Sequence, residues 1–206
     1  MIAEFSHFAL FLALIASGCQ AVLPLCGSPN TTGDSASLKR YLTRSADLFA
    51  LVAAASVLFA FAGLVWSFVV SDFSVALVAS HSHSAKPLIY KISGTWGNHE
   101  GSLLLWIVIL VLFSAVLSLS RQQMSALLKA RVLAVQGIVT TAFLAFSLFT
   151  SNPFERLDPA PVDGRGLNPI LQDIGLALHP PMLYLGYVGL SMAFFLCSGR
   201  INQRPS

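Results

Sequence analysis

Leu48-Phe-Ala-Leu-Val-Ala-Ala-Ala-Ser-Val-Leu-Phe-Ala-Phe-Ala-Gly-Leu-Val-Trp-Ser-Phe-Val-Val-Ser71 runs without one charged side chain. A helix crossing the hydrocarbon of a bilayer needs roughly 20 such residues. Similar runs extend from Phe5 to about Leu25, Ser102 to Ser120, Val132 to Phe154 and Ile174 to Gly199. The 206 residues are 55% hydrophobic and only 10% charged, against about a quarter charged in a soluble domain. These features predict an all-α, polytopic membrane protein: one membrane domain over 1–206, with about five transmembrane helices at 5–25, 48–71, 102–120, 132–154 and 174–199. The flank of the first run carries Glu4 and no basic residue, which reads as a retained helix rather than a cleaved signal peptide.

Charge orients the helices. With the amino terminus outside and the carboxyl tail inside, the inner side carries Lys39, Arg40, Arg44, Arg121, Lys129, Arg131, Arg200 and Arg204, eight of the twelve basic residues. The outer side keeps seven of the nine acids. Basic residues accumulate in cytoplasmic loops, so this orientation is the expected one. It makes 72–101 and 151–178 the outer connections. His81, His83 and His99 then lie in them, His179 lies at their edge and His7 near the same face.

The three cysteines, Cys19, Cys26 and Cys197, form no CxxC and no metal-ligand spacing, and read as small buried hydrophobes. There is no CxxCH haem-attachment motif and no phosphate-binding glycine loop. Nothing points to nucleic acid.

Two segments carry chemistry. In Leu171-Gln-Asp-Ile-Gly-Leu-Ala-Leu-His179-Pro180-Pro181-Met-Leu-Tyr-Leu-Gly-Tyr187 an imidazole sits at the mouth of an apolar run. The prolines are expected to fix the backbone where the helix begins. His179 reads either as an interfacial residue capping a helix or as an axial ligand to a metal or haem. Gly186 lies seven residues on, on the same helical face, and Gly189 on its edge. The glycines could open a flat slot for a macrocycle or serve close helix packing. Tyr184 could line such a slot or, with Tyr187, join an aromatic belt.

The second segment is Trp96-Gly-Asn-His99-Glu100-Gly. Asn98 suits a helix cap, Glu100 the positive end of that helix and Trp96 the interface. The alternative is a polar face supporting a bound cofactor. A His99–Glu100 pair is disfavoured because adjacent helical residues diverge. Ser80-His-Ser-His83 could hold only an adventitious metal. Asn152-Pro-Phe-Glu-Arg-Leu-Asp-Pro and Gly164-Arg-Gly-Leu-Asn-Pro169 read as a turn-rich lid.

The runs Val70-Ser-Asp-Phe-Ser-Val, Tyr90-Lys-Ile-Ser-Gly-Thr-Trp-Gly-Asn-His-Glu-Gly-Ser-Leu-Leu-Leu-Trp106, Phe149-Thr-Ser-Asn-Pro-Phe154 and Leu167 through His179-Pro-Pro to Gly189 resemble, in order, the amino-terminal part of the CcmF/CycK family of cytochrome c-type biogenesis proteins. The resemblance implies a haem lyase component that helps position haem on the outer face for covalent attachment to apocytochrome c. His179 would be a haem-iron ligand. It implies a CcmE-type haem chaperone, a CcmH-type partner and apocytochrome c as partners, in a bacterial inner membrane or a mitochondrial one. The family's tryptophan-rich haem segment would follow the fifth helix, so the expectation is a lyase split over two chains, or a truncation, incomplete alone. A non-catalytic assembly scaffold is the alternative. A transport subunit with His99 and Glu100 in a proton path is disfavoured, because the five runs hold no ionisable residue at mid-membrane.

Overall fold

In a computed structural model, the described residues are 1–26, 35–120, 125–166 and 172–201, without the side chains of 35–40, 43, 176 and 191–201. Cys197, Lys39, Arg40, Arg121, Arg200, Arg204 and the Asn168-Pro169 turn therefore lie outside what is described. The chain forms helices α1 Ile2–Cys26, α2 Ser35–Val69, α3 Ala76–His81, α4 Leu88–Gly94, α5 His99–Leu119, α6 Ala126–Phe149 and α7 Ile174–Ile201. Among the described residues no strand forms, only an isolated antiparallel bridge between Val75 and Arg156.

Among the described residues, four helices are long and apolar enough to cross a membrane: Ile2–Cys26, Arg44–Val69, His99–Leu119 and Ala126–Phe149. The 28 residues of α7 span about 42 Å at a helical rise, which is sufficient length to cross as well.

Lipid tails are as apolar as leucine, so large side chains gain nothing by turning inward. On α1 the sorting is by size instead. On α1 the buried stripe is Ala3, Ser6, Ala9, Leu10, Ala13, Ala16, Ser17 and Ala21, at spacings of three and four. Phe5, Phe8, Phe11 and Ile15 stay exposed. Small residues let backbones close in. Gly63 of α2 lies directly against Ser6, and a Cβ on Gly137 of α6 would sit 2.7 Å from the Ala21 nitrogen and 3.0 Å from the Ser17 carbonyl oxygen.

Polar groups lock the same seam. Gln20 Nε2 donates to the Leu133 carbonyl at 2.8 Å, and Thr141 Oγ1 donates to Ser17 Oγ at 2.9 Å. The core is continuous from α1 through Val57, Leu64 and Phe68 of α2 to Leu104 and Ile107 of α5.

Both long connections lie at one end of the bundle, and they are stitched together. Ala76 N donates to the Glu155 carbonyl at 2.8 Å and Leu157 N to that of Ser74 at 2.9 Å. Arg156 bonds Glu4 of α1 and Ser74 and lies 3.5 Å from Asp72. Arg165 N reaches the Ala79 carbonyl at 2.8 Å. At the other end Lys129 pairs with Asp47 at 3.0 Å. Cys19 is half-buried but Cys26 is exposed, so the buried-hydrophobe expectation fails at Cys26. The α1 helix ends there, beyond its packed face.

Gly137→Val forces a branched side chain into the α1–α6 contact. It is expected to lower stability by about 2 kcal/mol, read as reduced thermal stability in detergent. An unchanged melting temperature would show that the two helices do not approach this closely.

Candidate functional site

The two motif segments meet. Asp173 caps α7: its Oδ1 accepts from Gly175 N at 2.8 Å, and its carbonyl accepts from Ala177 N at 2.9 Å. The helix therefore begins at Ile174, and Pro180 and Pro181 lie inside it rather than at its mouth. The physical reason is the early cap, which starts the helix a turn and a half before the prolines.

A proline inside a helix has no N–H, so the carbonyl four residues earlier loses its helical donor. For Pro181 that carbonyl is Ala177's, and Ala177 is buried. The indole of Trp96 supplies the missing bond, with Nε1 donating to the Ala177 oxygen at 2.8 Å. Around that bond Trp96 and Tyr184 pack with Leu105, Ile109, Leu110 and Val188. Trp106 lies 5.0 Å from the ring of Tyr184 and stacks on Phe143 at 5.7 Å.

Helical spacing then divides α7. Ala177, Tyr184 and Val188, separated by seven and four residues, face the bundle. His179, Met182, Leu183, Gly186 and Leu190 form the exposed face. Beyond Gly186 there is open space: a Cβ there would meet nothing within 4 Å. Gly189 lies at the edge, 3.4 Å from Phe113 Cζ by the same construction. His179 and Gly186 thus share an open face, whereas Tyr184 turns inward onto Trp106.

His99 and Glu100 open α5. Asn98 caps that helix, its Oδ1 accepting from Gly101 N at 2.7 Å, and its amide ties back to the Gly94 carbonyl at 2.8 Å. Glu100 stands in the first turn, where the helix dipole favours a carboxylate. His99 looks toward α6 rather than α7: its Nε2 lies 3.2 Å from Ser151 Oγ, and its ring meets Phe146 edge-on at 6.4 Å. The next residue, Asn152, donates to His7 Nε2 at 3.3 Å. One turn after α6 therefore ties two histidines, a link that sequence spacing did not signal.

His81 and His83 also have partners. His81 Nδ1 lies 3.1 Å from the Leu77 carbonyl. His83 Nδ1 accepts from Ala85 N at 3.2 Å, and its Nε2 lies 3.4 Å from Asp163. His179 is exposed and has no hydrogen-bond partner among the described residues.

Residues 96–204 match the family model described as Cytochrome C assembly protein. The chain belongs to that family. CycK of Rhizobium meliloti, a cytochrome c-type biogenesis protein, is 53% identical over 98% of this chain and 30% of its own length. The Escherichia coli CcmF protein is 44% identical over 98% of this chain and 31% of its own. Among solved structures, the cytochrome c heme lyase CcmF superposes with a TM-score of 0.77 at 28% identity, covering 95% of this chain and 29% of that one. The chain thus spans about a third of the length of these family members. Its fold is theirs over that third.

The two long connections are also held together by a carboxylate clamp. Asp163 accepts from Ser84 N at 3.0 Å and Ser84 Oγ at 2.6 Å, and from Gly164 N at 2.8 Å. The Ser84 bonds hold its carboxyl down to about 2. Nearby, burial and the neighbouring Lys91 push the Lys86 ammonium down to about 8, while its Nζ donates to the His81 carbonyl at 3.0 Å.

A carboxyl group depressed in the folded state stabilises above its ordinary value near 4 and loses that contribution as pH falls through its folded value. Amide-exchange protection at Ser84, corrected for intrinsic rates, is expected to hold from neutral pH to about 4 and to fall between about 4 and 2. Asp163→Asn should remove that step. Persistence of the step in the variant would assign it to another group.

Proposed function

We propose that this chain is a haem-binding component of a cytochrome c maturation lyase, with His179 ligating the haem iron on the outer face of a bacterial inner membrane. The observation that carries the reading is the state of the five histidines. Four are engaged with neighbours, and His179 stands exposed and unpartnered on a face with open space at Gly186. A neutral imidazole is a common haem-iron ligand, and a glycine one helical face below it leaves a flat ring unobstructed. The residues present therefore fit haem on one side.

The orientation follows the distribution of basic residues and makes the stitched connections a periplasmic lid. In the reaction, the vinyl groups of haem become thioethers with the two cysteines of a CxxCH sequence in apocytochrome c. His179 holds the iron from one side, so the macrocycle keeps one orientation while the thiols approach. The chain's contribution is positioning rather than bond chemistry. Haem would come from a CcmE-type chaperone and reduced apocytochrome from a CcmH-type partner. The complete reaction is assigned to the assembly, because the chain matches about a third of its relatives' length. Trp96, His99, Glu100, Tyr184 and Gly189 support the platform without touching the iron.

Purified chain, with its partners where they co-purify, is titrated with haem as wild type and as His179→Ala. Losing the ligand is expected to weaken haem retention at least about tenfold and to reduce cytochrome c maturation in cells. Unchanged haem spectra with unchanged maturation would leave the chain a non-catalytic scaffold.

A further inference from the structure

We propose that Trp96 is the positioning residue for His179: its indole N–H takes the carbonyl that Pro181 leaves without a donor, and so sets the direction of the helix start carrying the imidazole. The inference rests on the proposed role of His179 as a haem ligand, and the geometry supporting it is independent of haem.

Pro181 can offer no N–H, and its ring crowds the Ala177 carbonyl out of the helix axis. Such a carbonyl is normally satisfied by water or by a neighbouring group, and a sharp helix bend follows from the same cause. Ala177 is only 8% exposed, so water has little access. Trp96 Nε1 is 2.8 Å away, and an indole N–H can only donate. The match is chemically one-way: a lone carbonyl meets a donor with no acceptor function.

The indole is itself immobilised. Its backbone N donates to the Ser93 carbonyl at 3.2 Å, the next turn is fixed by Asn98, and the ring packs among Leu105, Val188 and Tyr184. A rigid donor in the turn between α4 and α5 therefore grips α7 two residues before His179. Asp173 fixes the helix on the amino-terminal side of that grip, and Tyr184 on Trp106 fixes it on the other. Between these clamps the direction of His179 is determined by a group in the α4–α5 turn.

The test uses the full 206-residue chain in nanodiscs. In haem-free protein, Trp96→Phe keeps an aromatic ring and removes the N–H. Replacement of Trp96 by 3-benzothienylalanine keeps the bicyclic shape as well, so a folding defect in the first variant leaves the second decisive. Both are expected to accelerate amide exchange at Leu178, His179 and Met182 about tenfold. In a Pro181→Ala background the alanine N–H satisfies Ala177, and Trp96→Phe should then change exchange less than about twofold. An equal acceleration in both backgrounds would mean that Trp96 acts by packing alone, and would overturn the proposal.

With protohaem IX added, the Trp96 variants are expected to lose the optical and EPR signature of imidazole-ligated iron while retaining helix content. Retention of the wild-type signature would also overturn the positioning role. Failure of the haem reading itself is read separately, as an unchanged spectrum in His179→Ala.

Discussion

Within hydrocarbon there is no water to take up an unpaired peptide group, so every backbone N–H and C=O must find a partner inside the chain. The rest of the structure follows from this constraint. It makes the spans helices, and it confines the irregular backbone of the two long connections to the end where they can pair with each other through Ala76, Leu157 and Arg165. It also makes a proline inside a helix expensive unless another group answers for it. At Pro181 the answer is Trp96. The meeting of the two motif segments is thus a consequence of backbone accounting at one peptide group.

The same solvent sets how the helices recognise one another. Without a hydrophobic drive between spans, association comes from close approach and from hydrogen bonds across the seam. Gly63 against Ser6 and Gly137 against Ala21 provide the first. Gln20 on the Leu133 carbonyl and Thr141 on Ser17 provide the second. Against this α1–α2–α6 packing, α7 lies mainly on α5 and more lightly on α6, through the cluster of Trp96, Trp106, Phe143 and Tyr184. The chain therefore has a tightly packed part and a helix held at its edge, and the unpaired imidazole is on the latter.

The long charge-free runs were legible in the sequence because bilayer crossing depends on composition over twenty residues, which a single chain displays. The cap at Asn98 was legible for a similar reason: the interaction is local, and its Oδ1 reaches only to Gly101. The short helices α3 and α4 were not. Seven residues or fewer carry too weak a periodicity, and these are held by contacts such as Arg165 on Ala79 that arise only on folding. The apolar run from Ile174 marks the start of α7, but the prolines lie inside the helix rather than at its mouth, because Asp173 as a cap competes with proline as a helix-opening signal. The bond from Trp96 to Ala177 spans 81 positions. Its partner could not be named from sequence, but the need for a donor was already present in Pro181. Spacing also placed His99 beside Glu100 without revealing that its ring turns to Ser151.

An exposed imidazole on an apolar helix is unremarkable when it can reach water or a carbonyl, so exposure alone does not single out His179. What does is the contrast with its surroundings. The chain satisfies His7, His81, His83 and His99 from neighbouring residues, and it commits an indole to one orphaned carbonyl two residues before His179. His179 itself is exposed and has no hydrogen-bond partner among the described residues. In the proposed role as an iron ligand that matters, because a coordinating nitrogen must not be occupied by a hydrogen-bond donor. Under the proposed function, the stiffness supplied by Asp173, Trp96 and Tyr184 would have a chemical use, since a ligand on a fixed helix face would set the orientation of the macrocycle it holds.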